Sequence, residues 1–167
     1  MGLDVTAFSK VKRLRDLDGD GDYNLDECFL PGNEGPVFST RAADVPGGVY
    51  SYTAKLAVFS RSYGTYSHWR DALAKLAGYA AHPTEQDSAH IHSRTAWEAE
   101  EGPFWELINF TDCDGTLGTT VCQKLLTDFD AFAERAELAL DGWVRDVYRS
   151  FHAAFRLAAD GGAVKFH

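Results

Sequence analysis

The chain has 167 residues, 45% of them hydrophobic, 13% aromatic and 25% charged, which is the composition of a folded protein of about one domain and excludes a disordered chain. A formal net charge of -9, with no run of Lys or Arg to offset it, opposes attraction to a phosphate backbone, so no nucleic-acid partner is expected. No apolar run is long enough to cross a bilayer and the start lacks the regions of a signal peptide; a single domain over 1–167 with no membrane partner, in the cytoplasm, is the expectation.

Taken in order, Leu3 to Leu14 alternates loosely and reads as a strand, with an amphipathic helix as the alternative. Residues Asp16 to Glu27 form an acidic, Gly-containing loop, and Pro31 to Pro36 is irregular. Val49 to Ser60 alternates well, with Tyr50, Tyr52, Ala54, Leu56 and Val58 on one face, and predicts a half-buried strand. Ser67 is placed to cap a helix bearing Trp69, Leu73 and Leu76 on one side, and Gly78 stops it. His82 to Ala96 is polar and without period, the pattern of a surface loop.

Pro103 suits a helix start, and Phe104, Leu107 and Ile108 predict two turns of helix. Thr120 and Gln123 have capping-box spacing before Val121, Leu125, Phe129, Phe132, Ala136 and Leu140 at helical intervals. Asp141-Gly142 is followed by a second stripe, Val144, Val147, Tyr148, Phe151, Phe155 and Ala158. So short a joint makes the two helices antiparallel neighbours. After Gly161-Gly162, Val164 and Phe166 alternate like a strand that rejoins the sheet. The predicted fold is α+β: a small antiparallel sheet from the N-terminal half and the C-terminal tail, covered by that helical hairpin and one or two shorter helices.

Two loops spell chemistry. Thr111-Asp112-Cys113-Asp114-Gly115-Thr116-Leu117 resembles the loop of haloacid dehalogenase-like phosphatases. The resemblance implies Asp112 as nucleophile, Asp114 as acid and base, and a divalent metal to offset their charge. Too little chain follows Leu117 for the doubly wound sheet of that superfamily. The alternative is a turn in which Asp112, Asp114 and Gly115 cap the helix that starts near Thr120. In the other loop, Asp16, Asp18, Asp20, Gly21, Asp22, Asn24 and Glu27 fall at the ligand and turn positions of an EF-hand calcium loop. Calcium held by Asp16, Asp18, Asp20, Asp22 and Glu27 is one reading and a solvated acidic turn the other, since Lys12, Arg15 and Pro31 do not suit the flanking helices.

The remaining signals are weaker. His90 and His92 could share one side of an extended segment as a metal pair, with no third ligand evident. Cys28, Cys113 and Cys122 form no CxxC pair and offer neither a disulfide framework nor a thiolate zinc site. The Met1-Gly2 start meets the myristoylation pattern only in part, because Ala7 takes the Ser/Thr position.

The Met1-Gly2-Leu3-Asp4 start, Tyr66-Ser67 with Trp69-Arg70, Gly102-Pro103-Phe104-Trp105-Glu106-Leu107-Ile108-Asn109-Phe110, the Asp112-Cys113-Asp114-Gly115 loop and the Phe166-His167 ending resemble a family of small uncharacterised proteins of bacteria and their phages. The resemblance implies shared architecture and a phage or prophage setting, without a reaction. It groups Tyr66, Ser67, Arg70, Asp112, Asp114 and His167 as candidates for one polar site, with Arg70 paired to an Asp carboxylate. The leading expectation is a non-enzymatic module that binds a small polar ligand or another protein. Its rivals are a metal-dependent hydrolase or phosphotransferase using Asp112 and Asp114, and a calcium-binding module at Asp16 to Glu27.

Overall fold

The structure, a computed structural model, describes residues 2–16, 24–84 and 89–167; Asp18, Asp20 and Asp22 of the acidic loop lie outside the described residues. The fold is α+β. Strand β1 (Gly2–Ser9) alternates Leu3, Val5 and Ala7 inward with Asp4, Thr6 and Phe8 on the other face. The alternation of Leu3 to Leu14 is real, but the segment is two strands. Lys10 adopts φ 50° and turns the chain into β2 (Lys12–Arg15), which joins a different sheet. The bend is anchored from afar, because the amides of Lys10 and Val11 donate to the carbonyls of Asp160 and Gly161.

The predicted strand over Val49 to Ser60 divides in the same way into β4 (Gly48–Ser51) and β5 (Ala54–Ser62). With β3 (Glu27–Leu30) between β2 and β4 in sequence, the strands make a three-stranded sheet β2-β4-β3 and a four-stranded sheet β5-β1-β7-β6, both antiparallel. Here β6 is Gly115–Leu117 and β7 is Ala163–Phe166. Strand β5 is an outer strand, so Ala54 and Leu56 are exposed, contrary to the expected buried face. A bulge opposite Val5 and Thr6 then puts both Val58 and Phe59 inside.

One face of the four-stranded sheet carries the helices. Helix α2 (Tyr63–Ala77) starts at Ser62, whose Oγ accepts from the Thr65 amide at 3.2 Å, so Ser67 is not its cap; Gly78, at φ 94°, ends it as expected. Helices α5 (Thr119–Ala139) and α6 (Gly142–Ala158) form the antiparallel hairpin, joined by the Tyr148 hydroxyl donating to the Phe129 carbonyl at 2.7 Å. Between sheet and helices lie Leu3, Val5, Val164 and Phe166 against Tyr66, Trp69, Phe129, Phe151 and Phe155. Trp69 and Phe151 stack at 4.4 Å between ring centres. A smaller core of Phe8, Cys28, Leu30, Val45, Tyr50 and Ala163 joins the second sheet to the opposite face.

Short elements complete the chain. Helical turn α1 (Pro36–Ser39), continued by Thr40–Ala42, begins where the irregular Pro31–Pro36 stretch ends, and α3 (Ser93–Glu98) takes up the end of the His82–Ala96 stretch expected as a surface loop. The segment from Phe104 contains one helical turn, α4 (Trp105–Ile108), and not two. Phe104 precedes it at φ 57°, held by its amide donating to Asp128 Oδ2 at 2.7 Å. The tail rejoins the sheet as β7. The acidic loop is entered and left by strands rather than helices, and these flank β4 on opposite sides, so it closes no hairpin.

Candidate functional site

Helix α2 repeats Tyr66, Trp69, Arg70 and Leu73 at spacings of three and four, so an arginine stands on its apolar face. Arg70 is 5% exposed. A buried guanidinium is costly unless it finds acceptors. Its Nη1 donates to the Phe110 carbonyl at 2.9 Å, Nη2 lies 3.7 Å from Asp112 Oδ2, and its plane rests 4.7 Å from the centre of the Tyr66 ring. Three buried polar atoms of this group, Arg70 Nε, the Tyr66 hydroxyl and Trp69 Nε1, have no partner among the described residues. Burial pushes the Tyr66 hydroxyl well above the ordinary phenol pKa, with Arg70 opposing.

The chain reaches Asp112 from α4. The Trp97 indole donates to the Ile108 carbonyl at 3.0 Å, and Phe110 packs edge-on against Phe38 and Phe166. Thr111 Oγ1 accepts from the Cys113 amide at 3.2 Å and tightens the turn. At Gly115 a Cβ would come within 2.8 Å of the Phe110 ring and 2.6 Å of Thr111, so only glycine permits this approach. The loop does not cap α5. Asp44 does, accepting from the Thr120 amide at 2.7 Å and its hydroxyl at 2.8 Å, while Gln123 donates to the Ala159 carbonyl and forms no capping box. Asp112 and Asp114 precede an edge strand instead of a helix.

A cleft of about 760 Å³ opens between residues 29–38 and the Thr111–Asp114 loop. Phe29, Phe38, Glu34, Thr111, Cys113 and Asp114 line it. Glu34 and Asp114 form no ion pair among the described residues. On its far side Asp114 acts on Lys165 and His167. Burial holds the Lys165 ammonium below the ordinary lysine pKa, with Asp114 pulling upward; burial and then Lys165 hold the His167 ring below the ordinary value, with Asp4 and Asp114 opposing. His167 Nε2 lies 3.1 Å from Thr6 Oγ1.

Five of the six grouped residues thus fall into two sets. Tyr66, Arg70 and Asp112 meet at the inner end of the loop, and at its outer end the Asp114 charge acts on His167 and Lys165; Ser67, half-buried on α2, enters the hydrogen bonds of neither. Phe29, Glu34, Phe38 and Lys165 were not singled out by sequence reasoning. Glu34 and Phe38 sit in or beside the irregular Pro31–Pro36 stretch, where no local pattern points to a site.

At the ends of the acidic loop, Asp16 pairs with Arg13, and Glu27 takes a two-point contact from Arg15 at 2.8 and 3.2 Å, which lowers its carboxyl pKa. His92 Nδ1 lies 2.7 Å from the Tyr79 carbonyl and His90 packs beside Trp97. Among the described residues no group of three or more His, Cys, Asp or Glu is arranged to hold a metal ion. No described helix is long and apolar enough to cross a membrane.

Comparison with protein-family models, with curated proteins and with solved structures gave no match to this chain.

Proposed function

We propose that this protein is a non-enzymatic binding module that receives a cationic group, an amine or guanidinium of a small molecule or of a partner protein, in the cleft beside the Thr111–Asp114 loop. The observation that supports this is the meeting, in one cleft of about 760 Å³, of two carboxylates without ion-pair partners among the described residues, Glu34 and Asp114, and the rings of Phe29 and Phe38. Carboxylates attract a cation and aromatic walls receive its face and its apolar stem. The net charge of -9 favours the approach of such a ligand from a distance. Phosphotransfer has less support: Asp112 already faces the buried Arg70, and the loop leads into an edge strand of an antiparallel sheet.

Calorimetric titration with agmatine and spermidine tests the proposal. Wild type is expected to bind, and Asp114→Asn or Glu34→Gln to weaken binding by about tenfold, the loss of one charged partner. Equal affinity in all three proteins would sink the cation reading. Magnesium-dependent turnover of para-nitrophenyl phosphate that disappears in Asp112→Asn would overturn the non-enzymatic one.

A further inference from the structure

A second site lies on the other side of Phe29 and does not depend on the cation reading. The register pairs Thr6 with Lys165 and Phe8 with Ala163 across β1 and β7, and Phe8 with Lys55 across β1 and β5. Cross-strand partners share a face, so Thr6, Phe8, Lys55 and Lys165 all point away from the helices. Only part of that face is covered. Phe8 and Ala163 pack against Cys28, Leu30 and Tyr50 of the second sheet. Beside Phe8 the two sheets leave a groove of about 490 Å³, lined among others by Thr6, Glu27, Phe29, Tyr52, Lys55, Lys165 and His167.

Two ammonium groups enter this groove, and neither is paired with Glu27, the carboxylate in its wall. Lys165, half-buried, lies 5.1 Å from the centre of the Phe29 ring, and Lys55 lies 5.9 Å from that of Tyr52. Neither forms an ion pair among the described residues, although the chain carries 25 acidic and 16 basic residues. Lys165 is drawn partly out of water with the Asp114 charge acting on it but no such ion pair, and a ring face offsets only part of that cost, while Lys55 stays exposed. The carboxylates nearby do not fill the gap. Glu27 is held by Arg15, while Asp114 acts on Lys165 and His167, and Asp4 on His167, without an ion pair to either among the described residues.

We infer that this groove binds a small organic anion, a carboxylate or phosphate group on an aromatic or apolar body. Lys165 and Lys55 hold the oxyanion, Thr6 and His167 supply further hydrogen-bonding groups, and the Phe29 and Tyr52 rings cover the body.

Amide-shift titrations with phenyl phosphate, phenylacetate and neutral benzyl alcohol test this. At least one anion is expected to saturate below about 10 mM, with shifts centred on residues 6, 55 and 165, and benzyl alcohol to bind at least about tenfold more weakly. Whichever anion binds more tightly identifies the oxyanion. Lys165→Met is expected to weaken binding by about tenfold and the exposed Lys55→Met by several-fold. Lys55→Met keeps the test decisive should burial at position 165 make that variant unfold. The inference is overturned if neither anion saturates, if the shifts map elsewhere, or if the folded variants bind as tightly as wild type. Because the probes are anions, failure here leaves the agmatine result untouched.

Discussion

Arg70 and Asp112 contribute unequally to the pair they form. The arginine is 5% exposed and holds the Phe110 carbonyl as well as facing the carboxylate, whereas the Asp112 side chain is half-exposed and stands at 3.7 Å. Arg70→Met is therefore expected to lower unfolding free energy by about 1.5–3 kcal/mol, through the lost charged hydrogen bond and stacking. Asp112→Asn should cost less than about 1 kcal/mol, as screened exposed pairs do. Arg70→Lys should not restore the loss, because one ammonium lacks the planar fork that reaches both acceptors. Urea denaturation of the three variants measures this ordering, and a larger effect at Asp112 would contradict it. His167 gives a pH dependence. Burial and Lys165 hold its pKa below the ordinary 6.5, so the folded chain binds fewer protons than the unfolded one below that value. Its contribution is present above 6.5 and is lost as pH falls through the folded-state value. The ring should titrate below 6.5 by NMR, and melting temperature should fall less between about pH 7 and 5 in His167→Gln than in wild type.

Among the elements, β6 is three residues long and cannot persist by its own propensity. One edge pairs with β7. On the other, the Asn33 amide imitates a strand, donating to the Thr116 carbonyl at 2.7 Å and accepting from its amide at 2.8 Å. Asn33→Ala is expected to destabilise by about 1–3 kcal/mol and to speed hydrogen exchange at the Thr116 amide; an unchanged exchange rate there would show that β6 holds without it. Asp44→Ala, which uncaps α5, should cost about 1 kcal/mol, read from thermal or urea unfolding. These contacts explain what the sequence concealed. The α5 and α6 stripes, the Gly78 stop and the returning strand at Val164 and Phe166 are local patterns, and each was legible. Strand β6 depends on Asn33, 83 positions away, and the α5 cap on Asp44, 76 positions away. No local pattern near Asp112 announces either. That Leu3–Leu14 and Val49–Ser60 are extended was also legible, but not the change of sheet partway along each: the first bend is anchored at Asp160 and Gly161, far off in sequence, and the outer position of β5 and its bulge break the expected face of the second. At the site, Arg70 and the Asp112 loop could be singled out from their motifs; the aromatic walls could not, since a lone Phe in an irregular stretch has the same spelling wherever it packs.

For the molecule as a whole, the helical layer gives one face of the four-stranded sheet a closed core, while the second sheet covers the other face only in part. The cleft and the groove open where that coverage ends, on either side of Phe29, which lines both. Both proposed binding surfaces thus trace to one structural cause, the incomplete coverage of that face. The central claim is that the Thr111–Asp114 cleft receives a cation. Amide-shift mapping during titration with agmatine tests it most directly. The account predicts saturable shifts confined to residues 29–38 and 111–114, with affinity that falls several-fold between about 50 and 200 mM salt as the carboxylate attraction is screened. No saturable shift in those residues, or an affinity indifferent to salt, would contradict it.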